Sequence, residues 1–509
     1  MLKTKNVITL FCLFLFLGAT SFAKECVIEK KNQSRLKHHQ KKLENIASLN
    51  DGNRASGTSG YEKSKNYIVC KLKKARYNIT VQEFEFPFFA ENSDPKFEQI
   101  SPESVIYPPS SDESFYTMIF SAAGSVEGLI EPVDVTIPAA EKANTSTSGC
   151  EATDFDSFTS GRIALIQRGA CYFSDKVRNA QDAGAVAVII FNEGQEGRTD
   201  AISGTLGPNS DIIVPVIFTT HEIGKALYES YISGKEVKVK INIDVTNEIR
   251  VTQNILAETK QGCDKTKVIL GGHLDSVLDG PGINDNGSGV SAILEAALQT
   301  QYMNYWPIKN KICYAFWGGE ELGLLGSVHY VENLTEEEKN NIAMYLNFDM
   351  IGSSNFVRFV YDGDGSEDSP AGPEGSREIA QFFLDYFKWK GYAAETTIFS
   401  GRSDYAPFMF VDIPVGGLFT GADEIKSEEQ AEKYGGTAGE PLDPNYHTIN
   451  DNVANNNFVV EAQMFGAILH AVRCYAFTEI QKPDIAERFN LKTQKKSIDF
   501  DRVGPFFQK

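Results

Sequence analysis

Val268-Ile269-Leu270-Gly271-Gly272-His273-Leu274-Asp275 is the stretch whose reading decides the fold. An apolar run this short, closed by glycines and then by polar residues, reads as a buried strand. In an open α/β sheet the C-terminal end of such a strand faces the ligand crevice. His273 therefore stands at a crevice, and Asp275, two residues on, points to the same side because strand side chains alternate. Downstream, Val290, Ile293, Leu294, Ala297 and Leu298 recur at helical spacing, with the helix starting near Ser288. Ile312–Trp317 and Tyr345–Met350 read as further strands, and Ile379, Phe382, Phe383, Tyr386 and Phe387 repeat the helical period. This alternation predicts an α/β domain, a β-sheet with helices on its faces.

Upstream the pattern is similar. Residues 34–49 are helix-like through Leu36, Leu43 and Ile46, a second helix spans about 61–74, and Val81, Phe84 and Phe86 lie in an extended run. From about 111 to 243 the texture changes to short strands and turns. Arg162–Ile166 and Val186–Phe191 are strand-like, and Ser174 or Asp175 is placed to cap a short helix that Gly184 ends. The chain thus divides into a leader (1–23), a first segment (24–110), a β-rich insertion (111–243), a main segment (244–481) and a polar tail (482–509).

The leader is a basic start at Lys3 and Lys5, an apolar run from Val7 to Leu17, and small residues Ser21 and Ala23 placed for cleavage. The run is too short to span a bilayer. Export to the extracellular or periplasmic space is the expectation, with no membrane anchor. The net charge of −19 becomes −21 once Lys3 and Lys5 are removed. So acidic a chain, with no basic stripe, excludes a nucleic-acid partner. None of the seven cysteines beyond the leader forms a C-x-x-C pair, which argues against a thiolate metal site. Cys150 and Cys171 bracket one compact β-rich stretch and are the expected disulfide.

Four more pieces fall at strand ends or turns. Asp285 lies in the Gly-rich turn Asn284–Gly289, where a carboxylate can bridge two metals. Glu320 and Glu321 follow a buried strand, and adjacent carboxylates there are costly without a cation between them. One can ligate while its neighbour moves protons. Asp349 ends the third strand, and His447 is isolated near the end of the fold. Each alone reads equally well as a turn or a solvated acid. Together, imidazole nitrogens and carboxylate oxygens form the donor set that suits zinc. The remaining histidines, on helices or in ordinary surroundings, need no special account.

These residues lie in the motifs GGHLDSV (271–277), GINDNGSG (282–289), FWGGEELGLLGS (316–327), LNFDMIG (346–352), SGRSDYAPF (400–408), IPVGGLFTGA (413–422) and DPNYHTINDN (443–452). In these the chain resembles the M28 family of metallopeptidases, close to secreted aminopeptidases, strongly over about 245–480 and more loosely over 33–90. GCEATDF, GRIALIQRGACYF, KVRNAQDAGAVAVIIFN and VPVIF, in that order between 149 and 218, resemble a protease-associated domain. The resemblance implies a mixed central β-sheet flanked by helices, interrupted by the β-rich insertion. It implies two Zn2+ per chain, one on His273 and Asp349, the other on Glu321 and His447, with Asp285 bridging. A water shared by the metals would be the nucleophile and Glu320 the general base. Asp275 would orient His273, and Tyr446 would help stabilise the oxyanion. Arg402, Asp404 and Phe419 would line the pocket for the first residue of a peptide or protein with a free N-terminus. A monomer suffices for this arrangement. One departure is visible. Relatives often carry C-Y-H-x-x-C around the last histidine, whereas here the flanking positions are Asn445 and Asn450. The loop holding His447 is then less rigid or is held by other contacts.

The competing expectations are a zinc carboxypeptidase or cyclase on the same fold, and a non-catalytic peptide-binding ectodomain. The first lacks a visible arginine cluster for a terminal carboxylate; the second should have lost ligands that are all present. A serine peptidase is the third, but Ser288 is not in a G-x-S-x-G context.

Overall fold

The computed structural model describes residues 20–480 except 209–210 and 367–369, with backbone pairing also between Arg502–Val503 and Phe506–Phe507. Most of the expected leader and tail lies outside the described residues. The remainder is built on two eight-stranded mixed sheets.

The first sheet runs in the order Asn78–Glu91, Val245–Glu258, Asn310–Trp317, Cys263–His273, Ile342–Phe348, Val415–Phe419, Phe359–Tyr361, Glu395–Thr397. Its four middle strands, from Asn310–Trp317 to Val415–Phe419, are parallel. Such strands are buried on both faces, which is why they read as unbroken apolar runs. The period-two alternation divides their side chains. Val268, Leu270, Ile312, Tyr314 and Phe316 enter the core beneath helices Thr20–Ser48, Ser59–Lys74, Gly287–Thr300, Ser376–Lys390 and Phe458–Phe477. Ile269, Cys313, Ala315 and Trp317 enter the core of the other face, with Tyr345, Tyr405 and Phe408. Gly271 and Gly272 are required by close approach. A Cβ at Gly271 would lie 2.5 Å from the Tyr345 hydroxyl, and one at Gly272 would lie 2.6 Å from the Phe348 carbonyl.

The second sheet runs Val105–Tyr107, Lys96–Ser101, Lys238–Ile243, Gly124–Val133, Ile163–Gln167, Ala187–Phe191, Val216–Thr219, Phe115–Thr117. It starts before the expected boundary at 111. Lys96–Ser101 pairs with Lys238–Ile243, a partner so distant in sequence that local texture does not announce it. Two antiparallel 14-residue strands, Asn78–Glu91 and Val245–Glu258, lead into and out of this unit. Cys150 and Cys171 are bonded, as expected. The helix Phe173–Asp182 has Tyr172 as its N-cap, rather than Ser174 or Asp175. Among the described residues no helix is long and apolar enough to cross a membrane.

Candidate active site

Three neighbouring parallel strands end side by side. His273 is the last residue of its strand and is in register with Trp317, after which the chain turns through Gly318 and Gly319 to Glu320 and Glu321. On the other side Gly271 is in register with Asn347, so Asp349 emerges beside His273. The helix Gly287–Thr300 starts just beyond Asp285. Its cap, Asn286, accepts from Gly289 N–H and donates to the Phe348 carbonyl at 3.0 Å, joining the Asp285 turn to the strand that delivers Asp349.

The donor atoms converge. His273 Nε2 lies 3.0 Å from Asp285 Oδ1 and 3.2 Å from Asp349 Oδ1. His447 Nε2 lies 3.1 Å from Asp285 Oδ2 and 3.0 Å from Glu321 Oε2. The two oxygens of Asp285 therefore face two different imidazoles. His447 Nε2 and Glu321 Oε1 are buried without a directed hydrogen bond. Short distances without hydrogen-bond direction are what ligand lone pairs show when aimed at a common point. The two groups His273–Asp285–Asp349 and Asp285–Glu321–His447 each bring three donor atoms within 4.8 Å of one another, and their nitrogen and oxygen donors fit zinc.

The electrostatics agree with a cation site. Burial alone would depress His273, but Asp349 and Glu320 outweigh it and hold the imidazole well above its usual range. Burial likewise opposes His447, and Glu321 and Asp285 drive it up to about 11. Burial pushes the Glu320 carboxyl well above the carboxylate range, with Asp349 and Glu321 adding and His273 opposing. Positive charge is in demand throughout this pocket.

The other expected residues are distributed around the donors. Asp275 meets His273 Nδ1 through its backbone carbonyl at 3.2 Å, with the carboxylate farther away at 3.7 Å. The carboxylate instead accepts the Glu320 N–H at 3.3 Å. Tyr446 stacks on His447 with ring centroids 3.8 Å apart, and its hydroxyl accepts from Arg402 at 3.4 Å. Arg402 is exposed and also pairs with Asp423 at 3.0 Å. Asp404 is fully buried, and burial pushes it to about 8. Phe419 stacks near Phe359 and Tyr361 in an aromatic wall.

Several supporting residues carry no local signal in the sequence. Ser403 donates to Asp349 Oδ2 at 2.7 Å and accepts from Asn347 at 2.8 Å, which fixes the carboxylate that faces His273. Arg54 is fully buried and donates to the carbonyls of Leu274, Pro281 and Gly282. Asp451 and Asp443 flank His447 and are both buried. The hint available was an acid on each side of the histidine in DPNYHTIND.

Comparison with known proteins agrees with this geometry. The model of peptidase family M28 matches residues 254–472, and that of the PA domain matches residues 135–227. An aminopeptidase of Pseudomonas aeruginosa is 46% identical over 417 residues, covering 82% of this chain and 76% of the relative. A probable lipoprotein aminopeptidase of Mycobacterium tuberculosis is 38% identical, covering 86% and 84%. Among solved structures, the aminopeptidase from Aneurinibacillus sp. strain AM-1 has the same fold, with a TM-score of 0.66 at 24% identity, covering 90% of this chain and 98% of that one. The zinc aminopeptidase of Bacillus subtilis gives 0.57 at 23% identity, covering 89% and 96%. With the metal-type donors at the strand ends, the family match and these relatives establish that the chain belongs to peptidase family M28, as an aminopeptidase that carries a PA domain.

Proposed function

We propose that this chain is an exported enzyme that holds two zinc ions and hydrolyses the N-terminal peptide bond of peptides and proteins. The observation that carries this reading is the single carboxylate of Asp285 standing between two imidazoles, one oxygen toward each. His273 and Asp349 would complete one metal site, Glu321 and His447 the other. Bound zinc supplies a polarised carbonyl and a water acidic enough to attack at neutral pH.

The chain's own groups do the rest. Glu320, buried beside the ligands, takes the proton of the attacking water and returns it to the leaving amine. Tyr446, held by Arg402 and the His447 ring, donates toward the oxyanion. Asp349 and Glu320 offer negative charge to a free α-amine, which restricts cleavage to chain ends. Arg402, Asp404 and Phe419 would line the pocket for the first side chain, with Asp404 fully buried. The peptidase domain would comprise residues 24–95 and 244–481, with the PA-containing insertion spanning 96–243 and starting where the second sheet starts.

The test pairs zinc analysis with a panel of aminoacyl anilides and their N-acetylated forms. Two zinc ions per chain and turnover only of the free amines are expected. A stoichiometry of one, or equal turnover of the blocked substrates, would overturn the reading. N-terminal sequencing of the exported protein is expected to begin at Lys24.

A further inference from the structure

His273 and His447 reach the same carboxylate by different means. His273 is the end of a strand paired on both sides. His447 sits in an irregular loop with its backbone at φ +56°, a conformation that needs support from its surroundings when the residue is not glycine. Asn445 and Asn450 provide no covalent closure of this loop.

The support lies at the two ends of the loop. Asp451 accepts the Asn284 N–H on Oδ1 at 2.6 Å and the Asp285 N–H on Oδ2 at 2.9 Å. Its backbone N–H donates to Thr448 O at 3.1 Å, and its carbonyl accepts from Ile283 N–H at 3.1 Å. At the other end Asp443 Oδ2 accepts from the Asn284 side chain at 2.5 Å, and Oδ1 accepts the Asn445 N–H at 3.0 Å. The segment 283–285 is thus gripped by the His447 loop from both sides. Next to this segment, Arg54 binds the carbonyls of Leu274, Pro281 and Gly282. A buried guanidinium thus holds the carbonyls that lead into Asp285, and the buried Asp451 side chain holds the amides of Asn284 and Asp285. Two successive backbone N–H groups can both be met by a carboxylate. An amide of the same shape would turn an NH2 toward one of them.

We infer that Asp451 is a positioning residue that docks the His447 loop onto the Asp285 segment and thereby determines whether the second zinc site is held. The inference rests on the two-zinc reading above. Asp451 touches no reacting atom in this arrangement; it acts through His447 and Asp285.

The experiment is a stepwise zinc titration of the full-length apoprotein against a chelating indicator, for the wild type, Asp451→Asn and Asp451→Glu. His447→Ala serves as the reference for a lost second step, and apoprotein melting temperature reports folding. In Asp451→Asn the second step is expected to weaken ~10–100-fold, the range typical of groups that orient metal ligands, while the first stays within about threefold. Asp451→Glu, which restores a carboxylate, should recover part of the loss. If Asp451→Asn does not fold, Asp443→Asn removes the other arm of the clamp and should show the same selective loss. Two wild-type steps that these variants leave unchanged, or weaken equally, would overturn the assignment of Asp451 alone. A wild type that takes up a single zinc would overturn this assignment together with the two-metal reading.

Discussion

Glu320 and Glu321 are neighbours in sequence with the same chemistry, and their surroundings separate them. Glu321 Oε2 lies 3.0 Å from His447 Nε2, in the ligand cluster. Glu320 is in neither ligand group, and its backbone N–H is tied to Asp275 at 3.3 Å. The carboxyl left out of the ligand set is the one free to carry a proton. Glu320→Gln keeps the size and removes the proton acceptor. It is expected to lower kcat by ~10²–10⁴-fold, the usual contribution of a positioned acid–base, with zinc content unchanged. Stopped assays alongside metal analysis check this; near-normal kcat would take the role from Glu320.

At the scale of elements, helix Phe458–Phe477 packs in the core it shares with helix Thr20–Ser48 and carries a carboxyl inside. Glu461 is fully buried, accepts from Gln40 of helix Thr20–Ser48 at 2.7 Å and from Asn456 at 3.3 Å, and burial raises its pKa to about 8. The sign follows from linkage. The fold favours the protonated form, so the stabilisation is fully present below the unfolded value near 4.5 and is lost as pH rises through about 8. At ~1.4 kcal/mol per pKa unit the ceiling is roughly 5 kcal/mol. Between pH 5 and 9 the melting temperature of the wild type should fall relative to that of Glu461→Gln, which cannot ionise. Parallel curves in thermal melts would refute the account.

Over the whole molecule the relevant quantity is the net charge of −19. An excess of this size attracts cationic substrates at long range, an effect carried by association rate and screened by salt. For peptides rich in Lys or Arg after the first residue, kcat/KM is expected to fall several-fold as ionic strength rises from roughly 0.01 to 0.15 M, where the screening length shrinks from about 30 to about 8 Å. For neutral peptides of equal length it should stay nearly flat. The same dependence in both series would remove surface charge as the cause.

The α/β class, the strand endings at His273 and Trp317, and the Cys150–Cys171 bond were legible in the sequence, whereas the strand expected over Tyr345–Met350 runs from Ile342 to Phe348. Each follows from local pattern: apolar runs of strand length, helical spacing, and a compact bracketed stretch. The same holds for the donors His273, Asp285, Glu321, Asp349 and His447 as candidates, because imidazoles and carboxylates beside buried strands demand an explanation. Other features required tertiary structure. That Lys96–Ser101 joins the second sheet depends on a strand near residue 240. That Asp275 turns its carbonyl to His273 and its carboxylate to Glu320 depends on the angle of a turn. Folding buries Arg54 and Asp451 beside the Asp285 segment, where one meets carbonyls and the other meets amides. Periodicity along a chain encodes which face a residue occupies. The partner it meets there is set by contacts between segments hundreds of residues apart, and no local pattern carries that information.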